Sequence, residues 1–147
     1  MTVGVDLRSD WTGALRAAGF QPTRPAVWVA EALLVYLDQR AVYRLLADLT
    51  HLTAPDSWLL ADVAGESFLT HPWMQDRLRS LADRGTPYRF GTDDPEGLLA
   101  GYGWEASVVR YGEGTANFGR WPYPVAPRDV PGFPRGYLVT AHRQATT

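Results

Sequence analysis

The sequence predicts an α/β fold in which parallel strands alternate with helices and an antiparallel strand pair closes one edge of the sheet. Three observations carry this. Short β-rich runs recur at 2–7, 26–37, 58–64, 104–112 and 137–143. Stretches with helical apolar spacing separate the earlier runs, as parallel strands joined by crossover helices require. The last two runs have only a Pro- and Gly-rich stretch between them, so they are expected to pair antiparallel.

Each element has its own signal. "TVGVDL" (2–7) alternates like a strand. In the helix that follows, Ser9 suits the N-cap and Asp10 the first turn, while Trp11, Leu15 and Ala18 share one face. Gly19 is a natural residue just past its end. "AVWVAEALLVYL" (26–37) is apolar on both faces, as a central parallel strand should be. Asp38 can cap the next helix, whose stripe is Val42, Leu45, Leu46, Leu49 and Leu52. "WLLADVA" (58–64) is the third strand. A helical region over 67–85 ends at Gly85, with Pro72 suited to a first helical position. A short helix over 94–103, a strand over 104–112, a long loop over 113–136 and a strand over 137–143 complete the chain. The 147 residues are read as a single domain, 1–147.

Composition narrows the function. With 46% apolar and 20% charged residues the chain is of globular type. A net charge of −2 with scattered basic residues points away from nucleic acid. There is no cysteine, which excludes disulfides and cysteine nucleophiles. All 14 basic residues are Arg, so lysine chemistry is absent too. No apolar run reaches the ~20 residues of a membrane span. The first ten residues lack the marks of a signal peptide, so a cytoplasmic protein without membrane attachment is expected.

Three carboxylates mark strand ends: Asp6, Glu31 and Asp62, with Glu66 soon after the last. In open α/β sheets ligands bind beyond the carboxyl ends of the strands. Asp6–Leu7 and Glu31, one βαβ unit apart, could face one pocket and accept hydrogen bonds from ribose or adenine, or attract a cationic cofactor. On the residues alone a second reading stands beside this: Asp6 caps a helix and Glu31 pairs with an Arg. Glu31 is the sharper case, because a carboxylate among apolar neighbours needs a compensating partner. His51, His71 and His142 have no metal-ligand spacing, so no metal site is expected; His71 alone is kept as a candidate active-site group. "GEGTANFG" (112–119) lacks the spacing of a phosphate loop, and no G-x-S-x-G elbow is present.

The stretch over 3–62, above all "VDLRSDW…LRAAGF" and "WVAEALLVYL", resembles the leucine carboxyl methyltransferases and related bacterial S-adenosyl-L-methionine-dependent O-methyltransferases, as does the tail "GRWPYPVAPRDVPGFPRGYLVTAHR". The resemblance implies a Rossmann-like sheet with an antiparallel strand pair at its end. It implies that Asp6 and Leu7 lie beside the adenine of S-adenosyl-L-methionine. Glu31 would lie near that cofactor's methionine portion, and Tyr36 on the side of a small-molecule methyl acceptor. No catalytic residue is assigned; the candidates are Tyr36, from this resemblance, and His71, from the histidines above. The usual pattern has Gly after the Glu, where this chain has Ala32, whose methyl would narrow the pocket.

The resemblance also implies that the chain corresponds to the C-terminal portion of the family, a partial sheet without the N-terminal strands and their Gly-rich cofactor loop. The run at 2–7 would then lack its usual neighbours. It must pair elsewhere, fray or wait for a partner, and the open sheet edge predicts self-association. Two functions follow as expectations: carboxyl or hydroxyl methylation by a truncated enzyme, or a catalytically silent remnant or interaction module.

Overall fold

A computed structural model describes residues 2–125 and 127–144. Four strands form one mixed sheet: β1 (Val27–Ala30), β2 (Ser57–Ala64), β3 (Glu105–Arg110) and β4 (Gly136–Arg143), in the order β1-β2-β4-β3. β1 and β2 are parallel, and β4 runs against both β2 and β3. The expected α/β class and the antiparallel pair at one edge are both present.

Helix α1 (Trp11–Ala17) precedes β1, and α2 (Gln39–His51), α3 (Glu66–Thr70), α4 (Gln75–Asp83), α5 (Pro95–Ala100) and α6 (Gly114–Asn117) lie between the strands. Asp38 caps α2 by accepting the Ala41 N–H, as its position predicted. The α2 stripe of Val42, Leu45, Leu46 and Leu49, followed by Leu52, is buried. It packs with Leu59, Val63, Val139 and Ala141 of the sheet in one core, which Phe90, Leu99 and Trp104 extend. Trp11 of α1 meets Trp28 of β1 edge-on, with Phe20 beside it.

Three expectations need correction. Residues 2–7 form no strand. A strand needs a neighbour for its backbone groups, and 2–7 pairs with no described segment. Instead the Asp6 carbonyl and carboxylate accept the N–H groups of Ser9 and Arg8, which turns the chain at once. The run 26–37 yields only the four-residue β1. Ala32 takes φ 48°, which ends the strand, and 34–36 form a 3-10 turn. Lastly, β1 is an edge and not a central strand. Val27 and Val29 are 63% and 66% exposed, and Trp58, Leu60 and Leu138 continue this uncovered apolar face. Smaller shifts concern α1, capped by Asp10 and not Ser9, and the region 67–85, which breaks into α3, a 3-10 turn with Pro72 at its start, and α4.

Candidate functional site

The carboxyl ends of β1, β2 and β3 and the start of β4 meet at one end of the sheet, the position where open α/β sheets bind ligands. There the residues enclose a cavity of about 520 Å³. Ala32 and Val35 line it after β1, Asp62 and Ala64 in β2, Tyr111 after β3 and Gly136 in β4. Phe68, Tyr88 and Trp121 give it ring walls, Met74 adds an apolar side chain, and Arg77 and Arg135 also line it.

Two glycines make these walls possible. A Cβ on Gly136 would sit 2.2 Å from the Tyr111 ring, and one on Gly112 would sit 2.2 Å from Trp121. Both contacts are far inside van der Waals distance, so each ring lies where only glycine permits it. Arg135 is buried and fastens the proline-rich loop beside the cavity by donating to the carbonyls of Phe133, Pro127 and Val130.

Asp62 is the acidic residue of the lining. Its Oδ1 accepts the Ala32 N–H, and its Oδ2 faces the Tyr111 hydroxyl at 3.5 Å. Burial, helped by the Asp62 charge, pushes the Tyr111 hydroxyl up to about 12. Tyr111 therefore remains a donor across physiological pH. Asp62 also lines a shallower recess of about 270 Å³ on the uncovered sheet face, with Glu31, Val29, Leu60 and Leu138. Asp62 is thus the shared wall of the two spaces.

Glu31 is exposed just past β1 and makes no hydrogen bond or ion pair among the described residues. The Arg partner that one sequence reading gave it is not there. Asp6 instead pairs with Arg8, whose hydrogen bonds hold its carboxyl at about 2. Leu7 packs on the core. Neither Asp6 nor Leu7 lines the cavity or the Glu31 recess, so the structure does not gather these three residues around one space. Tyr36 reaches the cavity indirectly, edge-on to Tyr88 at 5.3 Å, and the neighbouring Tyr88 hydroxyl raises its pKa. His71 accepts the Trp73 backbone N–H through Nδ1 and meets the Trp73 ring edge-on, a capping role. Among the described residues no cluster suited to a metal ion occurs.

A second cavity, about 500 Å³, lies among α2, α3 and residues 89–98 and includes Glu66 and Arg89. No sheet strand contributes to it. Sequence reasoning did not find Phe68, Tyr88, Tyr111 or Trp121 as a group. No period links them, and the only signals were an aromatic content of 12% and the Gly112 that follows Tyr111.

The chain is similar to known proteins in sequence and in fold. Residues 1–50 match the family model described as leucine carboxyl methyltransferase. A Frankia alni protein named an S-adenosyl-L-methionine-dependent methyltransferase is 36% identical over 149 residues, covering 99% of this chain and 49% of that protein. One of the same name from Streptomyces avermitilis is 38% identical over 136 residues, covering 82% of this chain and 42% of its own length.

Over most of its length the chain is similar to part of proteins named S-adenosyl-L-methionine-dependent methyltransferases.

It spans about half the length of the curated relatives it matches, or less. The crystal structure of a Thermobifida fusca protein titled a methyltransferase superposes with a TM-score of 0.60 at 21% identity, over 96% of this chain and 53% of that one. At that identity the likeness shows the fold. Among the described residues no helix is long and apolar enough to cross a membrane.

Proposed function

We propose that this chain supplies the acceptor side of an S-adenosyl-L-methionine-dependent O-methyltransferase site. The observation that carries the reading is the position of Asp62, which lines both the Glu31 recess and the aromatic cavity. The recess would hold the methionine end of the cofactor and the cavity a small-molecule acceptor. The donor set fits that end of the cofactor: Glu31 and Asp62 put two carboxylates where a sulfonium and an ammonium group need negative charge. It does not gather residues for the adenine end, since Asp6 is engaged with Arg8 elsewhere. When bound, S-adenosyl-L-methionine supplies a methyl group activated by its sulfonium charge.

The chain's own residues orient and dehydrate. Phe68, Tyr88 and Trp121 exclude water from an acceptor, Tyr111 and Asp62 orient its oxygen, and Glu31 attracts the cofactor's positive charge. Tyr36, through Tyr88, would shape the cavity mouth.

Calorimetry tests the reading. The chain alone should bind S-adenosyl-L-methionine only weakly. Joined to the remainder of the Streptomyces relative, it should bind in the micromolar range, and Glu31→Ala should then cost about tenfold or more in affinity, as loss of a charged hydrogen bond does. Micromolar binding by the chain alone, or a Glu31→Ala form that binds unchanged, would overturn it. A second reading, an interaction module without catalysis, is favoured by the uncovered face of Val27, Val29, Trp58, Leu60 and Leu138. Failure of the joined form to bind cofactor would favour that module.

A further inference from the structure

We propose that the aromatic cavity takes a flat phenol whose hydroxyl proton is received by Asp62. This rests on the reading of the cavity as the acceptor site and narrows it from oxygen nucleophiles in general to aromatic hydroxyls.

The walls decide the shape of the ligand. Phe68, Tyr88, Tyr111 and Trp121 come from four separate segments and offer ring faces and edges, which suit a planar π system. Asp62 decides the polar end. Its Oδ1 is engaged by the Ala32 N–H, but its Oδ2 has only the Tyr111 hydroxyl at 3.5 Å, the outer limit of a hydrogen bond. A carboxylate has room there for a strong donor. A phenol brings that donor. A carboxylate acceptor would bring a second negative charge beside the first, which is unfavourable in a half-buried site. Arg135 is spent on three carbonyls of its own loop, but Arg77 also lines the cavity and offsets part of that second charge, so the free acceptor on Asp62, tested against naphthoate below, is what selects a phenol.

The position of Asp62 also suits the chemistry. In the transfer the phenol oxygen forms a bond to the methyl carbon while the carbon–sulfur bond breaks, and the sulfur keeps the electron pair as a neutral thioether. The phenolic proton passes to the Asp62 carboxylate and from there to water. Tyr111, which stays protonated, is a positioning residue that holds Asp62.

Binding tests this on the full chain without cofactor. The probe is 2-naphthol, compared by calorimetry with its methyl ether and with 2-naphthoate. Naphthol should bind about tenfold tighter than the ether, the size expected for a hydrogen bond to a charged group. In Asp62→Asn an amide keeps an oxygen for the Ala32 N–H but presents a donor where Oδ2 was, and that donor serves an ether oxygen as well as a hydroxyl oxygen, so the preference for naphthol should largely disappear. Equal binding of ether and naphthol, tighter binding of naphthoate, or an unchanged preference in Asp62→Asn would overturn the proposal. Cofactor binding by the joined form is measured separately. Loss of naphthol preference with intact cofactor binding rejects the phenol alone, and loss of cofactor binding rejects the reading beneath it.

Discussion

Ala32→Gly is expected to stabilise the protein. Ala32 adopts φ 48°, in the left-handed region where a Cβ crowds the following carbonyl, at a cost of roughly 1–2 kcal/mol. The position is held there because the backbone must turn sharply after β1 so that the Ala32 N–H can meet Asp62. Glycine removes the crowding but gives the unfolded chain more freedom, which offsets about 0.4–1 kcal/mol. The net expectation is a gain of roughly 0.5–1 kcal/mol. For a chain of this length that raises Tm by about 1–4 °C. Urea melts and thermal melts by circular dichroism measure it, with Ala32→Val as the control that should be clearly worse, since a β-branched residue tolerates this φ least. A destabilised glycine variant would refute the reasoning, because it would show that Ala32 carries no strain. The same change deletes a methyl from the cavity lining.

Other expectations follow from the same structure. Leu59 lies in β2 at 1% exposure, so Leu59→Ala should cost about 2–5 kcal/mol in urea melts, and a cost below ~1 would mean the core is not packed as described. Tyr111 has its pKa raised to about 12 from an ordinary 10, so its contribution is intact below pH 10 and is lost as pH rises toward 12. Between pH 10 and 12 the stability of the wild type should therefore fall more steeply than that of Tyr111→Phe, and parallel curves would contradict the burial assigned to that hydroxyl. If the uncovered face drives self-association, Val29→Lys with Leu60→Lys should lower the mass measured by light scattering at high concentration, and an unchanged mass would remove that face from the account.

The parts of the fold legible in the sequence are those written locally. The Asp38 cap and the α2 stripe of Val42, Leu45, Leu46 and Leu49 rest on spacing within one helix, and both are present. The strand expected at 2–7 was also a local signal, yet a strand is completed by a neighbour, and no described segment pairs there. The length of the run at 26–37 misled for a different reason. Apolar character continues to Leu37, while the turn at Ala32 is set by a backbone angle and by an acceptor in another strand, Asp62. Glu31 and Asp62 were legible as strand-end carboxylates, but the sequence does not show that Asp62 stands between two spaces. That fact depends on the order β1-β2-β4-β3, which brings Tyr111 and Gly136 to the same end of the sheet.

The central claim is that the cofactor's charged end and the acceptor meet across Asp62. Amide NMR of this chain, titrated with millimolar S-adenosyl-L-methionine, tests it most directly because weak binding is sufficient. The account predicts shifts concentrated at Glu31, Ala32 and Asp62, with Phe90 and Asp94 undisturbed. Shifts confined to the second cavity around Glu66 and Arg89, or none at any concentration, would contradict it.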